Sequence, residues 1–330
     1  LRVRPEESYW SGLYYFTGSK AHNIALRRRA QARGLKVNEY GVFRGRRRIA
    51  GQTEEEVLHA VDLPWIPPEL REDRGEFAAA EGGHLPRLVE LHQVRGDLQC
   101  HTTDSDGRDS LAAMAEAAER LGYEYLAVTD HTPAVRVAGG MDRAGFRRQM
   151  KRIDRLNARA SSLTVLKGAE VDILADGSLD LDDATLEALD LVVISLHSRL
   201  TLPEPAQTRR VCRALSHPSV DVLGHPSARL IGGRRPAALN WDQVYQAAKD
   251  HGVMLEVNAQ PERLDLDDVH IRAAIGHGLT LTLGTDAHST TELGFMRWGV
   301  DQARRGWAET ADIANTRSLK RLRALLHGQR

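Results

Sequence analysis

The chain has 330 residues, 42% of them hydrophobic and 27% charged, so it can bury a sizeable core and is long enough for two domains. It has two cysteines and no run of the about 18 apolar residues that a membrane helix needs, which excludes disulfide-stabilised and membrane-spanning classes and predicts a cytoplasmic protein. The net charge is zero, but residues 1–48 hold 12 Lys+Arg against 3 Asp+Glu, which suits either nucleic acid or a solvated basic surface, and the remaining residues are acidic.

The first 75 residues predict a small α+β domain that contains a basic helix. Capping and turn residues divide this region into short elements. We predict a strand at residues 1–4, an aromatic stretch at 9–16, a turn at 17–19, a basic helix at 20–33, two strands at 37–43 and 46–50, and a helix that starts near residue 53. Residues 64–95 contain four prolines among acidic residues, so we place a linker at residues 76–95.

Seven apolar runs of strand length follow from residue 96 onward, and helical segments separate them. The runs cover residues 97–101, 125–131, 163–173, 189–197, 220–225, 253–258 and 279–288. Strands that are apolar throughout are typical of parallel sheets buried on both faces. The second domain, residues 96–330, is therefore predicted to be an α/β fold in which seven βα units form a barrel.

Polar residues with metal-ligand chemistry stand at the downstream ends of these runs. They are Gln99, His101, Asp106, His131, Glu170, His197, His225, Asp286 and His288. The carboxyl ends of parallel strands form one face, and side chains two positions apart on a strand point the same way, so we expect the nine to meet. Imidazoles mixed with carboxylates suit Zn²⁺, Mn²⁺ or Fe²⁺. Eight such ligands exceed the four of one zinc ion, which predicts two or three ions with Glu170 as the bridging carboxylate.

Each candidate has a structural interpretation as well. A single histidine such as His131 or His225 is more often a hydrogen-bonded structural residue than a ligand, and the recurrence at strand ends is what favours metal binding. Arg136, Arg199 and Arg229 follow ligand-bearing runs and are candidates for phosphate binding, since a guanidinium matches a phosphate with two hydrogen bonds. Salt bridges to nearby aspartates explain these arginines equally well.

The motifs of the second domain resemble those of the polymerase and histidinol phosphatase (PHP) family. The matching segments are GDLQCHTTDSDG, LAVTDH, GAEVDI, SLHS, GHP, LEVN and GTDAH, in that order. The resemblance implies a distorted seven-stranded βα barrel whose metal cluster hydrolyses phosphoesters, with ligands at the nine positions named above. Gln99 stands where the family usually has a histidine, and an amide oxygen is the weaker ligand. The candidate catalytic residues are His131, Glu170, Asp286 and His288.

The first domain resembles the C-terminal, nucleotide-contacting subdomain of family X DNA polymerases, in the segments YYFTGSKAHNIALRRRA and VNEYGVF. By this resemblance, the residues expected to contact nucleotide and DNA are Tyr15, Phe16, Gly18, Ser19, Asn23 and Arg27. A glycine permits close approach to a sugar, and guanidiniums near a helix N-terminus attract phosphate. The palm carboxylates that hold Mg²⁺ or Mn²⁺ in this family would precede Leu1. We therefore expect the chain to be part of a longer protein and not to extend a primer by itself.

The two resemblances imply a DNA repair protein of bacterial or archaeal type. The second domain is expected to be a Mn²⁺- or Zn²⁺-dependent 3′-5′ exonuclease that hydrolyses phosphodiesters at DNA 3′ ends, with cleavage at abasic sites as a variant. The intact polymerase would bind gapped DNA and dNTP and fill short gaps in base excision repair, as a cytoplasmic, nucleoid-associated monomer. Two alternatives stay open. One is a degenerate PHP domain that serves as a scaffold or DNA-binding platform, supported by Gln99, and the other is a small-molecule phosphatase of the histidinol phosphate type.

Overall fold

The computed structural model describes residues 5–159 and 162–327 of the chain. The chain divides into two compact units, Leu1–Arg87 and Leu88–Arg330. The division falls within residues 76–95, and this segment begins with a short helix at Glu76–Glu81, in which Phe77 is buried. The strand predicted at residues 1–4 lies outside the described residues. None of the described helices has the length and apolar character needed to cross a bilayer.

The first unit is an α+β domain whose three described strands form an antiparallel sheet in the order β1-β2-β3. Its elements are α1 (Tyr9–Thr17), α2 (Lys20–Ala32), β1 (Lys36–Asn38), β2 (Gly41–Arg44), β3 (Arg47–Ala50), α3 (Glu54–His59) and α4 (Glu76–Glu81). Helix α2 begins where the Oγ atom of Ser19 accepts a hydrogen bond from the backbone N–H of His22. Residues 37–43 do not form the single strand that we predicted. The chain turns between β1 and β2, where Asn38 Oδ1 accepts from the backbone N–H of Tyr40.

The second unit is a parallel α/β barrel, and each of the seven predicted runs contains one of its strands. The strands are β4 (Gly96–Cys100), β5 (Tyr125–Val128), β6 (Thr164–Asp172), β7 (Leu191–Ser195), β8 (Val222–Leu223), β9 (Met254–Asn258) and β10 (Leu281–Gly284). The helices are α5 (Leu111–Arg120), α6 (Arg143–Asn157), α7 (Asp183–Leu186), α8 (Glu204–Leu215), α9 (Trp241–His251), α10 (Asp268–Gly276), α11 (Met296–Arg305) and α12 (Leu319–Arg323). The strands lie in chain order across the sheet, and every neighbouring pair is parallel. The predicted seven-stranded βα barrel is confirmed.

The sheet closes nearly into a barrel because the end of β10 returns to the end of β4. Cys100 and Ala287 form a parallel bridge, and the backbone N–H of His101 donates to the Ala287 oxygen at 2.8 Å. The backbone N–H of Asp286 donates to the Gln99 oxygen at 2.9 Å. His101 and Asp286, which are 185 positions apart in the sequence, thereby become neighbours.

Apolar side chains pack against both faces of the sheet. The larger cluster lies between the strands and the surrounding helices, and includes Phe146 of α6 and Val244 of α9. A second cluster joins the amino-terminal residues of several strands, such as Tyr125 and Met254, to Leu322 of α12. The amino ends of the strands are therefore closed by apolar packing, and the carboxyl ends are available for polar groups.

Candidate metal centre

Eight of the nine predicted ligands meet at the carboxyl ends of the barrel strands. They are His101, Asp106, His131, Glu170, His197, His225, Asp286 and His288. Glu170 lies on β6, and the others follow the ends of β4, β5, β7, β8 and β10. All of them except His101 line a cavity of about 180 Å³, and His101 is fully buried against this group.

The carboxylate of Glu170 is the centre of the cluster. Its Oε1 atom lies 2.8 Å from His225 Nε2 and 3.3 Å from His197 Nε2. Its Oε2 atom lies 3.4 Å from His101 Nε2 and 3.3 Å from His131 Nδ1. Burial opposes ionisation, but the imidazoles of His131 and His197 outweigh it and hold the pKa of Glu170 well below its usual range. The site therefore has an ionised carboxylate that faces four imidazoles.

Three overlapping groups of side chains have donor atoms within 4.8 Å of one another, close enough to hold a metal ion. The groups are His101, Asp106, His131 and His288; His131, Glu170 and His197; and His101, Glu170 and Asp286. Each group mixes imidazole nitrogens with carboxylate oxygens, the donor set that suits divalent transition metals and zinc. Because the groups share members, the ions that they could hold would lie side by side.

Several donor atoms of the cluster have no hydrogen-bond partner in the part of the chain that the structure describes. They are His101 Nδ1, His131 Nδ1 and Glu170 Oε2, and all are buried. A buried polar atom without a partner costs about 1–3 kcal/mol. Divalent cations and their water ligands would satisfy such atoms, so the residues present fit a metal centre.

Oxygen atoms near the Nδ1 atoms of His197 and His288 determine which nitrogen of each ring faces the cluster. Asp172 Oδ1 lies 3.2 Å from His197 Nδ1, and the backbone oxygen of Asp286 lies 2.8 Å from His288 Nδ1. The Nε2 atom of each ring therefore points to another carboxylate of the cluster, at 3.3 Å and 3.4 Å. Burial lowers the pKa of both rings, but the surrounding carboxylates outweigh it and raise the pKa of His197 and of His288 to about 9.

We expect metal binding to release protons at neutral pH. The raised pKa keeps His197 protonated in the metal-free protein up to about pH 9, and a cation that binds Nε2 must displace this proton. The apparent affinity for Mn²⁺ or Zn²⁺ should therefore rise as the pH increases from about 6 to about 9, with at least one proton released per chain. Calorimetric titration in two buffers of different ionisation enthalpy measures this release. An affinity that falls as the pH rises would contradict the prediction.

Gln99 is the ninth predicted ligand, and its side chain is not among the described side chains that line the cavity. It is buried, and its amide oxygen and nitrogen have no hydrogen-bond partner among the described residues. The pairing of β4 with β5 shifts register between Asp97 and Cys100. Cys100 packs in the cluster between the strands and the helices, and a Cβ at Gly224, next to the predicted ligand His225, would lie 3.4 Å from Gln99 Oε1, so Gln99 points toward the interior of the barrel. The ligand role of Gln99 stays a prediction.

The three arginines predicted to bind phosphate lie around the barrel mouth without lining the cavity. Arg229 donates to the backbone oxygens of Arg263 and Leu264, at 2.8 Å and 2.5 Å. Arg136 and Arg199 are exposed, in the loops that follow β5 and β7. Their role as phosphate ligands also stays a prediction.

The guanidinium that does line the cavity belongs to Arg263, which the sequence analysis missed. Its Nε atom lies 3.5 Å from Asp286 Oδ2, and one of its terminal nitrogens is buried without a partner among the described residues. Arg263 follows the end of β9 by five positions, in the kind of loop that yielded Asp106 after β4. Its sequence signal is a positively charged side chain in the loop that follows a strand.

Two aspartates that the sequence analysis did not single out brace the ligands. Asp130 accepts hydrogen bonds from the backbone N–H of Thr102 at 2.8 Å and from Gln149 Nε2 at 2.5 Å, and so fixes the loop that leads to Asp106. Asp172 holds the ring of His197, as described above. Both belong to the quoted motifs, LAVTDH and GAEVDI. An acidic residue close to a predicted ligand is the sequence feature that could have identified them.

The first unit places its predicted nucleotide-contacting residues around the turn between α1 and α2, beside the serine that caps α2. The rings of Tyr15 and Phe16 meet edge to face at 5.2 Å, and Phe16 is half exposed. Gly18 has a φ of +75°, a conformation that favours glycine. Asn23 Nδ2 donates to the Tyr15 backbone oxygen at 2.8 Å, and Arg27 Nε donates to the Asn23 backbone oxygen at 3.3 Å. These residues therefore form one continuous group.

Comparison with known proteins assigns both units to families. Residues 12–72 match the family model of the DNA polymerase beta thumb, and residues 97–260 match that of the PHP domain. The chain is 42% identical over 329 residues to a protein of Bacillus subtilis (strain 168) named DNA polymerase/3′-5′ exonuclease PolX, which covers 99% of this chain. The chain spans 57% of the length of that relative.

More distant similarities cover a smaller part of the chain. A protein of Thermoanaerobacter sp. (strain X514), named as a probable phosphatase, is 27% identical over 209 residues, which are 60% of this chain and 80% of that protein. Among solved structures, a histidinol phosphate phosphatase from Lactococcus lactis subsp. lactis, complexed with zinc, L-histidinol and phosphate, aligns with a TM-score of 0.44 and 14% identity. That alignment covers 63% of this chain and 93% of the phosphatase.

The matched regions contain the segments on which both resemblances were based, except for GTDAH at residues 284–288, which lies beyond the PHP match. The thumb match includes the turn between α1 and α2, and the PHP match includes strands β4 to β9. Their order along the chain is the order that the motifs predicted. The chain therefore joins a polymerase beta thumb region to a PHP domain, and over nearly its whole length it is related to a PolX protein.

Proposed function

We propose that the second unit is a metal-dependent phosphodiesterase that acts as a 3′-5′ exonuclease on DNA. The observation that carries this proposal is the set of three donor groups that share members, because ions held side by side can act on both sides of a phosphate. The Bacillus subtilis relative is named as a 3′-5′ exonuclease as well as a polymerase, which supports the same activity here.

The ions would be two or three Mn²⁺ or Zn²⁺ ions, because the donors are imidazoles and carboxylates and not oxygen atoms alone. When bound, they would supply positive charge that stabilises the charge developing on the phosphate oxygens. Glu170, Asp286 and His101 form the third donor group and would together hold one of these ions.

Proton donation to the leaving group is a role for a side chain of the protein. We assign His288 as the proton donor to the leaving 3′ oxygen, because its side chain is 28% exposed and its raised pKa of about 9 keeps it protonated at neutral pH. Burial lowers the pKa of His131 to about 4, which makes this imidazole a neutral ligand. The first donor group keeps three ligands, His101, Asp106 and His131, without His288.

We predict that Arg263 binds a non-bridging oxygen of the attacked phosphate. Its guanidinium lines the cavity next to Asp286 and has a nitrogen free to donate. Arg263→Lys should lower kcat/KM for DNA hydrolysis by about 10²-fold, because an ammonium cannot reproduce the fork geometry, while the metal content stays the same. Arg235→Lys, on the exposed surface of the same unit, is the matched control and should have no effect. Equal rates for the two variants would argue against this role.

The proposal is tested with a single-stranded oligonucleotide labelled at its 5′ end and incubated with the chain and Mn²⁺. We expect products that shorten one nucleotide at a time from the 3′ end, and no products from the Glu170→Gln chain, which excludes a contaminating nuclease. Cleavage confined to an abasic site would make the protein an endonuclease. Hydrolysis of p-nitrophenyl phosphate but not of the oligonucleotide would indicate a phosphatase. Hydrolysis of neither substrate with Mn²⁺ or Zn²⁺ would indicate a domain that serves only as a DNA-binding platform.

We extend the proposal to polymerisation through the first unit. In a chain that also has palm carboxylates with Mg²⁺ or Mn²⁺, Tyr15, Phe16 and Gly18 would contact the incoming dNTP. Asn23 and Arg27 would then lie toward the template side of the DNA. Polymerisation and trimming of 3′ ends in one protein suit the filling of short gaps in base excision repair. The polymerase activity in the name of the Bacillus subtilis relative supports this extension.

A further inference from the structure

A strongly basic helix lies beside the metal centre of an otherwise acidic unit. Residues 88–330 hold 30 Lys+Arg and 33 Asp+Glu, yet residues 143–159, which comprise α6 and the two residues after it, hold seven Lys+Arg and one Asp. Phe146 and Ile153 bury the apolar side of α6, so the cations lie on its outer side. Like charges at helical spacing repel one another, and a helix built this way is typical of a surface that meets a polyanion.

Three of these cations form what we term the α6 stripe: Arg148, Lys151 and Arg155. They occupy positions i, i+3 and i+7, so they share one face of the helix. All three are exposed, and within the described part of the chain none of them has an ion pair or a side-chain hydrogen bond. Arg152 differs, because it pairs with Asp104 and neutralises that carboxylate. The stripe is therefore free to bind an external anion.

Hydrogen bonds fix α6 to the loops that carry the metal ligands. Gln149 Nε2 donates to Asp130 Oδ2 at 2.5 Å and to Asp104 Oδ2 at 2.8 Å. The backbone N–H of Met141, just before the helix, donates to the backbone oxygen of His131 at 2.7 Å. Asp130 and His131 are adjacent, and Asp104 lies two positions before the ligand Asp106. The stripe thus has a fixed position next to the metal centre.

We propose that the α6 stripe binds the phosphate backbone of DNA whose 3′ end enters the metal centre. A groove of about 460 Å³ runs between the stripe and residues 103–104. The stripe extends about 10 Å at 1.5 Å per residue, which is long enough for its three cations to meet about two or three successive phosphates of one strand. The inference rests on the proposed exonuclease function, because a small phosphomonoester has no further phosphates to place along the helix.

The test compares two variants that each lose three exposed cations. Arg148→Gln, Lys151→Gln and Arg155→Gln together remove the stripe. Lys320→Gln, Arg321→Gln and Arg323→Gln together remove the same charge from α12, which packs on the opposite, amino-terminal end of the barrel. Binding of a labelled single-stranded oligonucleotide to the full chain is followed by fluorescence anisotropy in EDTA, where hydrolysis does not interfere, as a function of salt concentration.

We expect the stripe variant to bind at least about tenfold more weakly at moderate salt, and the slope of log K against log salt to become shallower by about 2, since each single-strand phosphate contact contributes about 0.7. The α12 variant should keep the wild-type slope. A stripe variant with the wild-type slope, or the same loss in both variants, would overturn the proposal.

A second measurement separates this inference from the exonuclease proposal. In Mn²⁺, the stripe variant should lose about tenfold more kcat/KM on an oligonucleotide than on bis(p-nitrophenyl) phosphate, which has no neighbouring phosphates. Equal losses on the two substrates would overturn the role of the stripe. If the wild-type chain hydrolyses neither substrate, the exonuclease proposal fails, and the salt dependence of binding still decides whether the stripe contacts DNA.

Discussion

Replacement of Glu170 by Gln is expected to remove two bound ions per chain and to lower the rate of DNA hydrolysis by about 10³-fold or more. Glu170 belongs to two of the three donor groups, and its oxygens face four imidazoles at 2.8 to 3.4 Å. A neutral amide keeps the shape of the side chain but removes the charge that makes these positions attractive to cations. Metal content after dialysis, measured by mass spectrometry, and the rate of oligonucleotide shortening are the readouts.

Variants at residues that belong to two, one or none of the donor groups test this prediction further. Asp106 belongs to one donor group, so Asp106→Asn should remove one ion where Glu170→Gln removes two. Glu187 is exposed on the same unit, and Glu187→Gln should retain all ions and full activity. If Glu170→Gln and Asp106→Asn lost the same number of ions, the arrangement of overlapping groups would be wrong.

Replacement of Arg71 by Met is expected to destabilise the first unit by about 3–5 kcal/mol, because it leaves a buried carboxylate without its partner. The side chain of Arg71 is fully buried, with Nε donating to the Ile66 backbone oxygen and a terminal nitrogen donating to Glu54 Oε1, both at 3.0 Å. Its guanidinium also lies over the ring of Tyr14, 4.3 Å from the centroid. The backbone oxygen of Arg71 accepts from Ser19 N–H at 2.7 Å, so this residue supports the nucleotide-contacting turn as well.

The measurement is amide hydrogen exchange of helices α1 and α2 in the full chain, since exchange reports the stability of one unit when two are present. Arg33→Met is the matched control. Arg33 pairs with Asp62 on the surface, and such pairs contribute about 0–1 kcal/mol. Changing Glu54 to Leu in the Arg71→Met background should recover part of the loss, because the unpaired charge is then gone. Similar exchange in the Arg71→Met and Arg33→Met variants would refute the argument.

The clustering of the predicted ligands could be expected from the sequence because their positions follow from the architecture. Strands that are apolar throughout were recognisable as parallel, and parallel strands bring their carboxyl ends to one face. A histidine or acid at or near the end of six of the seven runs was then enough to place His131, His197 and His225 in one cluster. The i and i+2 spacing also predicted that Asp286 and His288 lie together, and both line the cavity.

The other features of the site depend on loop conformation and helix packing, which the periodicity of the sequence does not reveal. Gln99 is buried beside Gly224 and does not line the cavity, and the alternation along β4 does not indicate how far its amide lies from the other predicted ligands. The guanidinium of Arg263 reaches the cavity from a loop, where no repeating geometry links sequence position to direction. The position of the α6 stripe is unpredicted for a similar reason, because its closeness to Asp104 depends on how helix α6 packs against a loop 45 positions upstream. The sequence alone predicted seven strands and the side chains at their ends, but not the loop residues around them.

The return of the last strand to the first also determines when the protein becomes active. Asp286 and His288 follow β10, and Asp286 meets His101 only once the barrel has closed. A nascent chain still missing these residues on the ribosome has neither the complete ion site nor the finished barrel. The proposed nuclease activity would therefore be absent until translation has passed the seventh strand, and a proteolytic cut that releases this strand would abolish it while leaving the other predicted ligands in place.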